Sequence, residues 1–118
     1  MSVRFWDYRQ EYIDIRDKVL EATDDVFNSG WLILGERVIA FEKAWAKYSG
    51  VSHGIGVNSG TDALFLALKA LGLKPGDEVI TVANTAIPTV SAIESTGART
   101  RFVDINPDTY LMDPEKLE

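Results

Sequence analysis

Apolar positions recur at helical spacing through a charged background over residues 8–28: Tyr12, Ile15, Val19, Leu20, Val26 and Phe27. An apolar stripe of this kind predicts an amphipathic helix, and Asn28-Ser29-Gly30 supplies its stop. A short apolar linker, Trp31-Leu32-Ile33-Leu34-Gly35, leads to a second helix predicted over 36–48. Val38, Phe41, Trp45 and Tyr48 share one of its faces, which reads as core packing, and Gly50 closes it.

From His53 onward strands and helices alternate. A strand is predicted over His53–Val57, then a helix over 61–72 ended by Gly72. That helix is apolar nearly all round, so it is expected to be buried inside a larger body. Lys74-Pro75-Gly76-Asp77 has the residues of a turn. A β-branched strand follows over 78–82, then a helix over 86–96 with Pro88 in its first turn and Gly97 as its stop. The last strand is predicted over 99–105, and Asp113-Pro114-Glu115 reads as an N-cap, a first-turn proline and an acidic first turn. The order strand–helix–strand–helix–strand predicts an α/β fold: N-terminal helices over 1–50, then a βαβαβ parallel-sheet unit over 51–118. A helix opening at Asp113 and followed only to Glu118 has no stability of its own. Three parallel strands also leave sheet faces uncovered. Both features are expected of the N-terminal part of a longer protein.

Composition narrows the function classes. With 118 residues the chain holds one domain at most. A net charge of −6 without a basic cluster argues against nucleic acid. The absence of cysteine excludes disulfides and thiolate metal sites. No apolar run reaches the ~18 residues of a membrane helix, and the first residues carry no apolar signal core. A soluble cytoplasmic protein is the expectation.

The chemistry concentrates in Gly54-Ile55-Gly56-Val57-Asn58-Ser59-Gly60-Thr61-Asp62-Ala63-Leu64. An apolar strand enters a small-residue turn and then a helix, so unpaired N–H groups point outward from the helix's positive end. Phosphate suits such a site. Gly60 lets the chain turn and a ligand approach, while Ser59 and Thr61 add hydroxyls. An ordinary strand-to-helix turn capped by Ser59 or Thr61 fits the local residues equally well. Neither standard phosphate loop is present: there is no G-x-x-x-x-G-K-[ST] and no G-x-G-x-x-G opening a helix.

Ser59-Gly60-Thr61-Asp62-Ala63-Leu64 resembles the S-G-T-D-A-L signature of the DegT/DnrJ/EryC1/StrS family of pyridoxal-phosphate-dependent sugar aminotransferases. The likeness extends in order through Ser29-Gly30-Trp31-Leu32-Ile33-Leu34-Gly35, Phe41-Glu42 and Tyr48-Ser49-Gly50-Val51. It continues through Pro75–Ile80, Ala83-Asn84-Thr85, Gly97-Ala98, Phe102–Ile105 and Asp113–Leu117. The resemblance implies a fold-type I transferase, with residues 51–118 forming the first part of its cofactor-binding large domain. It implies pyridoxal 5'-phosphate as cofactor, a nucleotide-linked keto-sugar and an amino-acid donor, usually glutamate, as substrates, and a cytoplasmic homodimer. It also implies that Gly60 and Thr61 hold the cofactor phosphate, with Ser59 beside them.

In this family the lysine that carries the cofactor and the aspartate at its pyridine nitrogen come from later sequence. Lys18, Lys43, Lys47, Lys69, Lys74 and Lys116 all read as surface residues, so the 118-residue chain alone is expected to be inactive. Relatives commonly place an aromatic residue or histidine after Ala83-Asn84-Thr85, stacked on the cofactor ring, and here that position is Ala86. Ala86 reads as a subgroup variant or as a sign of altered activity. Trp31 reads equally as a dimer-contact anchor or as cover for a sheet edge. His53 and Asp104 read as structural. The competing functions are a non-catalytic phosphate-binding or interaction module, a pyridoxal-phosphate-dependent sugar dehydratase, and a generic nucleotide-binding βαβ unit.

Overall fold

The computed structural model describes residues 5–117. The chain divides into two compact units, one reaching to Gly56 and one from Val57 onward.

The first unit holds helices α1 (Tyr8–Ser29) and α2 (Glu36–Ser49). Asp7 caps α1 by accepting from the Arg9 N–H, and Gly30 ends it at φ +70°. The linker bends sharply before α2: Leu34 has φ +52°, and a Cβ on Gly35 would lie 2.9 Å from the Trp31 carbonyl oxygen. In α2 the covered stripe is Val38, Glu42 and Ala46, one turn apart. The aromatic face expected in the core is instead open: Phe41, Trp45 and Tyr48 are 62%, 55% and 85% exposed. Their rings cover one another, with centroids 6.0 and 5.7 Å apart. The reason lies in residues 53–56. This segment is extended, and Gly54 would place a Cβ 2.6 Å from the Glu42 carbonyl oxygen, so only a bare backbone approaches α2 this closely. The Gly56 N–H donates to Glu42 Oε1 at 2.7 Å.

The strand expected at 53–57 therefore does not form among the described residues. A strand is defined by a neighbour's ladder, and here the one side-chain bond recorded for the segment goes to a helix.

The second unit holds α3 (Gly60–Ala70), β1 (Glu78–Val82), α4 (Ile87–Ser95) and β2 (Arg99–Val103). β1 and β2 pair in parallel from Glu78↔Arg99 to Val82↔Val103, joined through α4. The α/β class and parallel sheet hold, with two strands rather than three among the described residues. α3 packs against α4, with Phe65 and Leu68 half-buried and Leu64 and Leu66 exposed. Lys74-Pro75-Gly76-Asp77 turns with Gly76 at φ +98° and an Asp77 N–H to Lys74 carbonyl bond of 3.1 Å.

The tightest packing is at the α4–β2 junction, where Ala92, Ile93, Thr96 and Ala98 are buried. Thr96 Oγ1 donates to the Ile93 carbonyl at 2.7 Å and accepts from the Ala98 N–H at 3.2 Å. Glu94 Oε1 accepts from the Thr100 N–H at 2.8 Å and its hydroxyl at 2.6 Å. Glu78 Oε1 accepts from Arg101 Nε at 2.8 Å, tying β1 to β2. β2 stops at Val103 rather than 105, because the chain folds back to bridge Ile105 with Met112. Asp113 then caps a single 3-10 turn, Pro114–Lys116, in place of an α-helix.

Gly97 has φ +88°, and a Cβ there would fall 2.9 Å from Pro75 Cγ. Gly97→Ala is expected to destabilise the fold by about 1–3 kcal/mol, read as a lowered urea midpoint. Hydrogen bonds hold the Glu78 and Glu94 carboxyls below their ordinary 4.5, Glu78 through Arg101 and Glu94 through Thr100. The unfolded chain thus takes up protons first as pH falls. Their stabilisation is complete above the unfolded value near 4.5 and is lost as pH drops through the lower folded values. The double variant Glu78→Gln/Glu94→Gln is expected to flatten that acid loss in unfolding experiments run as a pH series.

Candidate functional site

The residues proposed from sequence for phosphate contact lie at the start of α3. Ser59 is the N-cap, extended at φ −158° and ψ 164°, and its Oγ accepts from the Asp62 N–H at 3.1 Å. Its carbonyl takes the Ala63 N–H at 3.0 Å. The capping function belongs to Ser59, and its own O–H remains a donor. The N–H groups of Gly60 and Thr61 meet no acceptor among the described residues, as the first turn of a helix dictates. A Cβ on Gly60 would meet nothing within 4 Å, and no left-handed φ is present there. Gly60 is therefore not needed for the turn; what it contributes is open space over its amide. Thr61 is half-buried beside it.

Ala86 lies at the start of α4. It is the N-cap with ψ 144° and makes no side-chain cap bond, and Pro88 in the first turn has no N–H to offer. The Thr85 and Thr89 hydroxyls bond to each other at 2.9 Å across this turn. Ala86 is exposed and presents a methyl group, with no ring to stack.

The two helix starts share one end of the second unit. Lys69, in the last turn of α3, reaches the carbonyl of Thr96, the C-cap of α4, at 3.5 Å. The C-termini are adjacent, so the packed helices run the same way and their N-termini lie together. β1 enters α4 directly, so this is also the C-terminal end of β1, where open α/β sheets bind ligands. Two positive helix ends favour an anion there, while the Asp62 carboxylate in the first turn of α3 works against it. Lys69 and Lys74 are at the opposite end.

The other candidates stand apart. His53 lines a shallow cleft of about 210 Å³ with Ile39, Glu42 and Lys43. Asp104 uses its carbonyl to accept from the Asp113 N–H at 3.0 Å. Trp31 lines a cleft of about 630 Å³ where α1 ends and α2 begins, which the Arg37–Asp25 ion pair also borders. No group of metal ligands occurs among the described residues. Sequence reasoning missed Glu42 as a backbone anchor; the signal was the spacing Gly54-x-Gly56, two bare positions on one side of an extended chain.

A family profile for DegT/DnrJ/EryC1/StrS aminotransferases matches residues 13–118. The chain is 48% identical over its whole length to the dTDP-3-amino-3,4,6-trideoxy-alpha-D-glucose transaminase of Micromonospora megalomicea subsp. nigra, and covers 32% of that protein. The structure of S. venezuelae DesV superposes with a TM-score of 0.93 at 39% identity, covering 98% of this chain and 31% of that one. The sugar aminotransferase Spr1654 from Streptococcus pneumoniae, solved in its PLP form, matches with a TM-score of 0.80 at 36% identity over 83% of this chain and 25% of its own. The chain thus spans about a third of the length of the curated relatives it matches. Its fold is that of the N-terminal helices and parallel sheet of fold-type I pyridoxal-phosphate-dependent aminotransferases. With nearly all of its length matched, the chain belongs to the DegT/DnrJ/EryC1/StrS aminotransferase family.

Proposed function

We propose that this chain is the phosphate-holding part of a pyridoxal-phosphate-dependent aminotransferase that moves an amino group from an amino acid, glutamate by family preference, to a nucleotide-linked keto-sugar. The observation that carries this reading is the pair of unclaimed N–H groups, Gly60 and Thr61, at the start of α3 with open space above Gly60. The residues fit the cofactor's phosphate: two backbone donors, the Thr61 hydroxyl and the Ser59 O–H converge where the helix end favours an anion. When bound, the cofactor supplies the electron sink that lets an amino group pass between amino acid and carbonyl. Ser59 holds the first turn in place by capping Asp62. Ala86 gives the ring an apolar contact of small area. No residue of this chain is assigned the cofactor-carrying lysine. Residues 51–118 are proposed as the beginning of the cofactor-binding domain of a cytoplasmic homodimer.

Proline at the first helical position separates phosphate binding from a plain turn. It is favoured there in any helix, and the extended Ser59 before it is compatible with a following proline. Gly60→Pro is therefore expected to leave thermal stability unchanged while removing one donor. In the full-length protein it is expected to weaken pyridoxal phosphate binding by about tenfold or more, the order for one bond to a charged group. Equal affinity for variant and parent in a cofactor titration would return the loop to a structural turn. Ala86→Phe, by contrast, is expected to tighten cofactor binding by roughly 2–10-fold through ring stacking, measured in the same titration.

A further inference from the structure

The charges of the second unit are sorted between its two ends. The cations of α3, β1, α4 and β2 lie away from the helix starts. Lys69 is in the last turn of α3, Arg99 opens β2, and Arg101 pairs with Glu78 at the start of β1, Nη2 to Oε1 at 2.7 Å. At the end where α3 and α4 begin, the charge within these elements is the Asp62 carboxylate. Asp104, just past the end of β2, adds the same sign.

Asp62 is half-buried. Its main-chain N–H is taken by Ser59 Oγ at 3.1 Å, while no hydrogen bond or ion pair engages its carboxylate among the described residues. Two unclaimed N–H groups and one unclaimed carboxylate thus share a single turn. A phosphate drawn to the N–H groups of Gly60 and Thr61 meets a like charge one residue further along. Half-burial leaves that repulsion less screened than at an open surface. The N–H groups carry only the partial positive charge of a helix end, against a full negative charge at Asp62. We propose that Asp62 is an affinity-limiting residue of the phosphate site: its carboxylate weakens the hold of the α3 start on every phosphate-bearing ligand, so that charge alone does not fill the loop. Free inorganic phosphate is then held weakly and leaves the donors open, while a phosphate carried on a larger molecule stays through its other contacts. This rests on the phosphate-binding reading of the α3 start.

The test is equilibrium binding of pyridoxal phosphate, phosphate-free pyridoxal and inorganic phosphate, the last by competition. It uses the full-length protein and its Asp62→Asn and Asp62→Glu variants, at low and high salt. The ratio of pyridoxal phosphate to pyridoxal affinity isolates the phosphate's contribution. Asp62→Asn is expected to raise that ratio by about 3–10-fold, the order for removing one like charge near a surface. The inorganic phosphate needed to compete is expected to fall by the same factor. High salt, which screens charge, is expected to shrink the gain. Pyridoxal affinity is expected to be unmoved, and Asp62→Glu, which keeps the charge, to hold the parent ratio. The Ser59 cap goes to the main chain and survives each substitution; if Asp62→Asn fails to fold, Asp62→Ala carries the comparison. A ratio unchanged or lowered in the uncharged variant overturns the inference alone, as does a gain shared by pyridoxal or indifferent to salt. A parent protein that binds pyridoxal phosphate and pyridoxal equally overturns the phosphate-binding reading and this inference together.

Discussion

A helix cannot satisfy its own first N–H groups, and that constraint organises the α3 start. Four donors must find acceptors outside the helix's regular ladder. The Ser59 side chain answers for one of them, Asp62, while its carbonyl takes the Ala63 N–H as the first rung of the ladder itself. Gly60 and Thr61 are left, and the residues around them keep them open: no side chain at 60, a half-buried threonine at 61, a serine rather than a bulky group before them. Among the described residues the space beside Gly60 is empty, and its backbone there has no left-handed φ that would exclude a side chain.

What was legible in the sequence was local punctuation. Gly30 and Gly50 end their helices in the left-handed conformation, Lys74-Pro75-Gly76-Asp77 forms the turn its residues demand, and Asp113 caps as expected. These signals act over three or four residues, so composition reveals them. The helices α1 and α2 were legible to within a residue for the same reason. Partnership was not legible. The apolar alternation at 53–57 reads as a strand, but a strand requires a neighbour at ladder distance, and sequence does not state which neighbour a segment meets. At α2 the stripe covered among the described residues is not the aromatic one. Large aromatic residues at helical spacing outweighed the modest stripe Val38–Glu42–Ala46, yet the close approach of two glycines selects the narrower face.

The site also shows how geometry and charge divide their roles. The net charge of −6 and the Asp62 carboxylate in the first turn of α3 oppose any anion. The helix end favours an anion while these charges oppose it, so the proposed phosphate site would rely on directed hydrogen bonds over short distances. Such bonds are steep functions of position, weakening when an angle or distance departs from its optimum. The proposed phosphate site would therefore depend on the placement of its main-chain donors.

Ala86 alters the other half of that balance. A ring stacked on an aromatic side chain gains dispersion and quadrupole energy over a broad range of positions. On the proposed reading a methyl group at Ala86 would give up most of that contact area, and among the described residues at the start of α4 Thr85 and Thr89 bond to each other and Pro88 has no donor. More of the holding would then fall on the proposed phosphate end, where the donors are main-chain groups. The smaller the contact beneath the ring, the more binding depends on the backbone geometry of Ser59, Gly60 and Thr61. In the proposed site a small contact at Ala86 would leave space beside the ring and shift the burden of binding to the phosphate.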